Sequence, residues 1–154
     1  MPRHLDPSWG DAIVLEFVRL RPGARVPTRQ TTGATGYDLY ACLDEPIEVG
    51  EMPVRVPTGI AIAAPIGTDV QLRPRSGLSA RGILAIFGTL DADYRGEVMA
   101  TLYRLPGAEP LTVHDGDRLA QLVVARVAPI AWREVEHLDD TERGGGGHGS
   151  TGIR

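Results

Sequence analysis

Five short stretches carry the side chains able to do chemistry. "GYDLYA" sets Asp38 between Tyr37 and Leu39 behind a Thr/Gly-rich loop; taken alone, that carboxylate reads as a cap on the loop. "RPRSGLSARG" gathers Arg73, Arg75 and Arg81 around Ser76-Gly77. Forked cations, a hydroxyl and a glycine that lets the backbone approach closely make either an anion site or a solvated basic turn. "GTLDADYRGE" spaces Asp91 and Asp93 two apart, then adds Tyr94 and Arg95 before Gly96. Such carboxylates suit a general base or metal-linked chemistry, and equally an acidic hairpin tip. "DGDRLAQLVV" brings Asp117, Arg118 and Gln121 to the start of a strand, where a salt-bridged strand edge explains most of the pattern. Last, "ERGGGGHGSTGIR" holds Arg143, His148, Gly149, Ser150 and Thr151 among glycines. Gly144, Gly149 and Ser150 have P-loop spacing, but the lysine that a P-loop needs is missing. This stretch reads either as a flexible tail or as a tail that folds over a phosphate bound elsewhere.

The elements that must position these residues read as strands. "AIVLEFVRL", "PIEV", "PVRVP", "IAIAAP", "TDVQLRP", "GILAIF", "EVMATLYRL", "LTV", "RLAQLVVARV" and "IAWREV" are short, apolar and rich in β-branched residues, and turn signals separate most of them. The 19 glycines and 12 prolines fit many tight turns. One short helical turn is predicted at Leu78 to Arg81. The expected fold is all-β, a jelly-roll-like double sheet or distorted barrel. Residues 1–11 form a lead of unknown role, 12–138 the β domain and 139–154 a glycine-rich C-terminal arm.

Composition narrows the function classes. A chain of 154 residues is large enough for one domain with its own core. A net charge of −4 argues against general nucleic-acid or acidic-membrane binding, so any polyanion must be met by local arginines. All 16 basic residues are Arg, which removes lysine bases and Schiff-base chemistry. Cys42, the single cysteine, fits a reducing compartment and reads as a small buried hydrophobe. His4, His114, His137 and His148 show no metal-ligand spacing. No signal peptide or membrane-length apolar run is present, and a soluble, cytoplasmic protein is expected.

Each stretch is weak alone; in this order, the five together resemble the motifs of the trimeric deoxyuridine triphosphatase (dUTPase) family. The resemblance spans about residues 34 to 152 and is close in the middle three motifs. It implies Mg²⁺-dependent hydrolysis of dUTP to dUMP and pyrophosphate. That reaction removes dUTP from the nucleotide pool and supplies dUMP for thymidylate synthesis. The resemblance further implies a homotrimer with sites between subunits, each closed by a C-terminal arm from a neighbour. By this similarity Asp91 orients and deprotonates the attacking water, and Tyr94 packs under the deoxyribose. Arg75, Ser76 and Gly77 hold phosphates, with Gln121 near the α-phosphate and Gly88 on the substrate-binding side of the third motif. Asp38 contacts the metal through water, the first shell being mainly substrate phosphates and water. Arg143, Gly149, Ser150 and Thr151 close on the phosphates while His148 lies over the uracil, where many members carry Phe. Thr35 replaces a residue that is usually small and apolar, and the stretch from Gly82 to Phe87 is short and lacks an Asn often found there.

Two alternatives remain. A deoxycytidine triphosphate deaminase of the same broad superfamily needs a glutamate near the Ser-rich motif, and "RSGLSARG" offers none. A non-catalytic nucleotide-binding trimer would have no use for Asp91 beside the phosphates.

Overall fold

The computed structural model describes residues 12–146. The order is β1 (Glu16–Arg19), β2 (Tyr37–Tyr40), β3 (Ile47–Val49), β4 (Val54–Ala63), β5 (Thr68–Arg73), α1 (Ser76–Ser79), β6 (Ile83–Ala85), β7 (Gly88–Leu90), β8 (Glu97–Arg104), β9 (Leu111–Val113) and β10 (Arg118–Arg126). One four-stranded sheet runs β1-β4-β8-β6, a second runs β2-β10-β5-β7, and β3 pairs with β9. Every pairing is antiparallel, giving the expected jelly-roll-like double sheet.

Alternation along the strands builds the core. β8 buries Val98, Ala100 and Leu102 on one face, β5 buries Val70 and Leu72, and Leu39, Ile60, Ile83, Leu119 and Leu122 complete the cluster. Each fully buried Leu, Ile or Val contributes about 1.5–3 kcal/mol relative to exposure.

"PVRVP" and "IAIAAP" are one strand rather than two. β4 passes through Pro57 and Gly59, which looked like a break, by slipping its register against β8 between Pro57 and Ala61. Gly59 takes φ +70, and a Cβ there would stand 2.8 Å from both Ala24 Cβ and Cys42 Sγ. The slip leaves the Gly59 N–H to donate to Glu97 Oε1 (2.8 Å).

Other expectations need correction. The helical turn is Ser76–Ser79, two residues earlier than predicted, with Arg75 as its N-cap. "GYDLYA" and "GTL" contribute strands β2 and β7. "IAWREV" forms no strand: beyond β10, residues 127–138 are exposed throughout, Trp132 at 93%. Among the described residues no strand pairs with that segment and none buries its apolar side chains.

Candidate active site

Residues of the first, second and fourth motifs come together through register. Gln121 on β10 faces Asp38 on β2 and Arg73 on β5, so three strands deliver Asp38, Gln121 and the Arg73-Pro74-Arg75 exit to one place. Asp38 is only 8% exposed and is the one buried charged residue among those described. Its Oδ1 takes Arg75 Nε at 3.0 Å, and its Oδ2 takes Arg118 Nη1 at 3.4 Å. A carboxylate this buried needs such partners, because an unpaired buried charge costs several kcal/mol. Arg75 Nη1 also donates to the Arg118 carbonyl at 3.1 Å, and Gln121 Nε2 donates to the Pro74 carbonyl at 2.9 Å. Ser76 and Gly77 follow, both exposed, with open space where a Gly77 Cβ would be. This arrangement offers a fork of cations, a hydroxyl and unobstructed backbone, which is what a phosphate chain requires.

Gly36 belongs to this cluster although nothing in its own surroundings in the sequence marked it. A Cβ there would stand 2.9 Å from Gln121 Cδ and 3.0 Å from Gln121 Cβ, and closer still to Oε1. The glycine of "GYDLYA" therefore makes room for the amide of "DRLAQL". The only clue was a glycine two residues before Asp38. Of the other two arginines in the second motif, Arg73 bonds Gln71 Oε1 at 2.8 and 3.0 Å, and Arg81 is exposed. Neither touches Asp38.

The third motif forms a second, separate group. The Tyr94 N–H donates to the Asp91 carbonyl at 3.0 Å, closing a turn. Arg95 Nη1 donates to the carbonyls of Ala92 (2.7 Å) and Tyr94 (2.8 Å), bracing that turn from outside. The Tyr94 hydroxyl donates to the Glu97 carbonyl at 3.1 Å, and the ring lies over Gly96, where a Cβ would come within 2.9 Å of Cε2. Asp91 and Asp93 are both exposed. Gly88 sits on β7 opposite Leu72, with only ordinary contact expected for an added Cβ, so its backbone is not there for want of space.

These two groups do not meet within one chain. Leu90 pairs with Val70 and Gly88 with Leu72, so Asp91 emerges at the Asp69 end of β5 while Arg75 leaves the other end. Four residues of strand separate Asp69 from Arg73, about 13 Å at 3.3 Å each. Among the described residues no hydrogen bond or ion pair links Asp91 or Tyr94 to Asp38, Arg75, Ser76 or Gln121.

Of the last motif, Arg143 is exposed and its Nε donates to the Gly146 carbonyl at 2.9 Å. His148, Gly149, Ser150 and Thr151 lie outside the described residues. Among the described residues no set of three or more His, Cys, Asp or Glu could cage a metal ion, and no helix is long and apolar enough to cross a membrane. Burial, then the Asp115 carboxylate, pushes the Cys42 thiol up, so it is not a ready nucleophile.

A family model for dUTPase matches residues 23–152. The chain belongs to the dUTPase family. It is 49% identical over 133 residues to a deoxyuridine 5'-triphosphate nucleotidohydrolase of Desulfotalea psychrophila, covering 83% of this chain and 87% of that one. It is 46% identical over 145 residues to the enzyme of the same name from Corynebacterium glutamicum, covering 92% and 97%. A solved Staphylococcus bacteriophage 80alpha dUTPase with dUpNHpp superposes with a TM-score of 0.77 over 91% of this chain and 99% of that one, at 23% identity. The phage phi11 dUTPase of S. aureus, which coordinates a structural Mg(II) ion, gives 0.70 over 80% and 97% at 22% identity. At those identities the two phage structures speak for the fold.

Proposed function

We infer that this protein hydrolyses dUTP to dUMP and pyrophosphate, at sites assembled where copies of the chain meet in a homotrimer. The observation that carries the reading is the cluster of Arg75 and Gln121 around the buried Asp38, beside the open Ser76-Gly77 turn, in a chain of the dUTPase family. The separation of Asp91 from that cluster within one chain supports a shared site, since a base must lie within hydrogen-bond reach of its water. Exposed Ile130, Trp132 and Leu138 support a segment that lies against another copy, because apolar side chains in that number are seldom left to solvent.

In this reading Asp91 takes a proton from water as the water oxygen attacks the α-phosphorus. The bond from that phosphorus to the α,β-bridging oxygen breaks, and pyrophosphate leaves with the bridging oxygen. Arg75, the Ser76 hydroxyl and the Gly77 backbone hold the phosphates in line, with Gln121 steadying the α-phosphate. Tyr94, already flattened on Gly96, forms the floor under the deoxyribose, where a ribose 2′-hydroxyl would be crowded and unsatisfied. Gly88 lies on the base side. Arg143, His148, Gly149, Ser150 and Thr151 from an arm spanning 139–154 close the site and exclude further water. Mg²⁺ would be held mainly by the substrate's own phosphates and water, and would supply charge neutralisation there. With no protein cage among the described residues, Asp38 is the carboxylate that would face it, through water. A cytoplasmic location suits the lone thiol.

The test is a panel of dUTP, UTP, dCTP and dTTP with Mg²⁺, assayed for pyrophosphate and ammonia. Pyrophosphate from dUTP alone is expected. Ammonia from dCTP would move the protein to the deaminase reading, and no product from dUTP would sink the hydrolase.

A further inference from the structure

Arg75 is already committed in part. Its Nε is on Asp38 Oδ1 and its Nη1 on the Arg118 carbonyl, so a phosphate that forks onto the Nε–Nη2 edge meets a carboxylate already bound there. Asp38 is thus an internal anion, competing with the nucleotide for the same cation. A phosphate forked on that edge takes Arg75 Nε away from a carboxylate that is 8% exposed, and a carboxylate so buried cannot turn to bulk water for compensation. Something must keep Asp38 satisfied after the exchange. Arg118 is the group in place to do so.

Its placement depends on one extra residue. β10 pairs Gln121 with Asp38 and Ala120 with Leu39, but then Arg118, not Leu119, faces Tyr40. In a regular ladder Leu119 would share the Asp38 face and Arg118 would point to the other side. The bulge flips that assignment: Leu119 goes into the core, and Arg118 comes onto the face of Asp38. There its guanidinium makes its one side-chain hydrogen bond among the described residues, to Asp38 Oδ2 at 3.4 Å. The turn just before it is pinned by the Asp117 carboxylate, which accepts from the His114 N–H at 2.8 Å, and by the Asp117 carbonyl, which accepts from the Ala41 N–H at 2.8 Å.

We propose that Arg118 is a positioning residue that retains Asp38 when the nucleotide's phosphates take Arg75. It touches neither the base nor the reacting atoms; it lowers the cost of the exchange at Arg75 and leaves Asp38 facing the phosphate chain. The proposal rests on the dUTP reading above.

The test is a double-mutant cycle on the full-length protein. Binding of dUpNHpp is measured by calorimetry in metal-free buffer, so that Asp38 acts only on Arg75. Wild-type binding is the reference; its absence would overturn the dUTP reading and this proposal with it. Arg118→Gln is expected to weaken binding about tenfold while kcat at saturating dUTP and Mg²⁺ falls less than about threefold, a split that general loosening of the fold would not give. In an Asp38→Asn background, where no carboxylate competes for Arg75, the same Arg118→Gln change should cost less than about twofold. If the tenfold loss persists undiminished with Asn at 38, Arg118 binds phosphate directly and the positioning role is wrong. No loss in the single variant overturns it too. Arg118→Lys carries the same cycle should the glutamine variant fail to fold. Lysine keeps the charge but not the fork, and about a threefold loss is expected, again abolished by Asp38→Asn.

Discussion

The two halves of the site are built in opposite ways. The Asp38 half is assembled from residues far apart in the chain, 80 positions between Asp38 and Arg118, and is anchored across β2, β10 and the end of β5 with a buried charge and two ion pairs. The Asp91 half is a local turn: every bond described for Asp91, Tyr94 and Arg95 reaches no further than three residues along the chain. The first half is held together by its own ion pairs with no ligand present. The second is a compact device carried at the end of a strand, exposed, and complete except for something to act on. A fixed cradle and a projecting turn that never meet in one chain make sense when each serves the other's copy.

Removing the base should have the largest effect. Asp91→Asn is expected to lower kcat by about 10²–10⁴-fold while leaving dUpNHpp affinity within about twofold; an equally severe Asp93→Asn would transfer the role to that carboxylate. The same variant sharpens the comparison when its subunits are mixed with Arg75→Ala subunits under conditions that exchange protomers. If cradle and turn come from different copies, about a quarter of the interfaces pair an intact Asp91 with an intact Arg75, and about a quarter of wild-type activity should return. Verified mixed oligomers with no recovered activity would place both halves in one chain.

A smaller effect is expected inside the cradle. Gly36→Ala drives a methyl into the Gln121 amide, breaking its bond to the Pro74 carbonyl and freeing the Arg75 loop. KM for dUTP should rise about tenfold, with Asp91-dependent chemistry at saturation little changed. A normal KM would mean that Gln121 repacks without consequence. Smallest in overall rate should be Tyr94→Ala in the turn. Its signature is selectivity: the dUTP/UTP ratio of kcat/KM should fall about tenfold, and an unchanged ratio would remove Tyr94 from sugar recognition.

Much of this was legible in the sequence wherever chemistry and local spacing coincide. Asp38, Arg75 and Gln121 stood out because polar residues interrupt apolar runs, and the structure does bring these three together. The turn at Asp91 to Gly96 was legible as a turn for the same local reason. What escaped depends on partners distant in the chain. Gly36 is required by Gln121, Arg118 is aimed by a bulge visible only in the pairing with β2, and Pro57-Gly59 continues a strand only because Ala24, Cys42 and Glu97 accept the distortion. "IAWREV" has a strand's composition without a strand's partner: its apolar residues promised a pairing that the described residues do not supply. Helix α1 began two residues early because Arg75, extended at φ −97 and ψ 131, starts it with no side-chain cap to announce the position.

The central place of β10 also sets an order in time. Among the described residues β2 has, apart from a single bridge from Thr28 to Asp38, no strand partner other than β10, the last strand described, and β5 has only β7 until β10 arrives. During synthesis, at about 5–20 residues per second, residues 37–40 and 68–73 leave the ribosome well before residues 118–126 exist. Throughout that interval Asp38 has no Arg118 beside it, and β2 is an open edge waiting for a template. The turn at Asp91 can close as soon as its own few residues have emerged. So the part of the site most deeply fixed in the finished molecule is the last to come into being, and a chain stalled short of residue 118 could close the turn at Asp91 but would have no cradle at all.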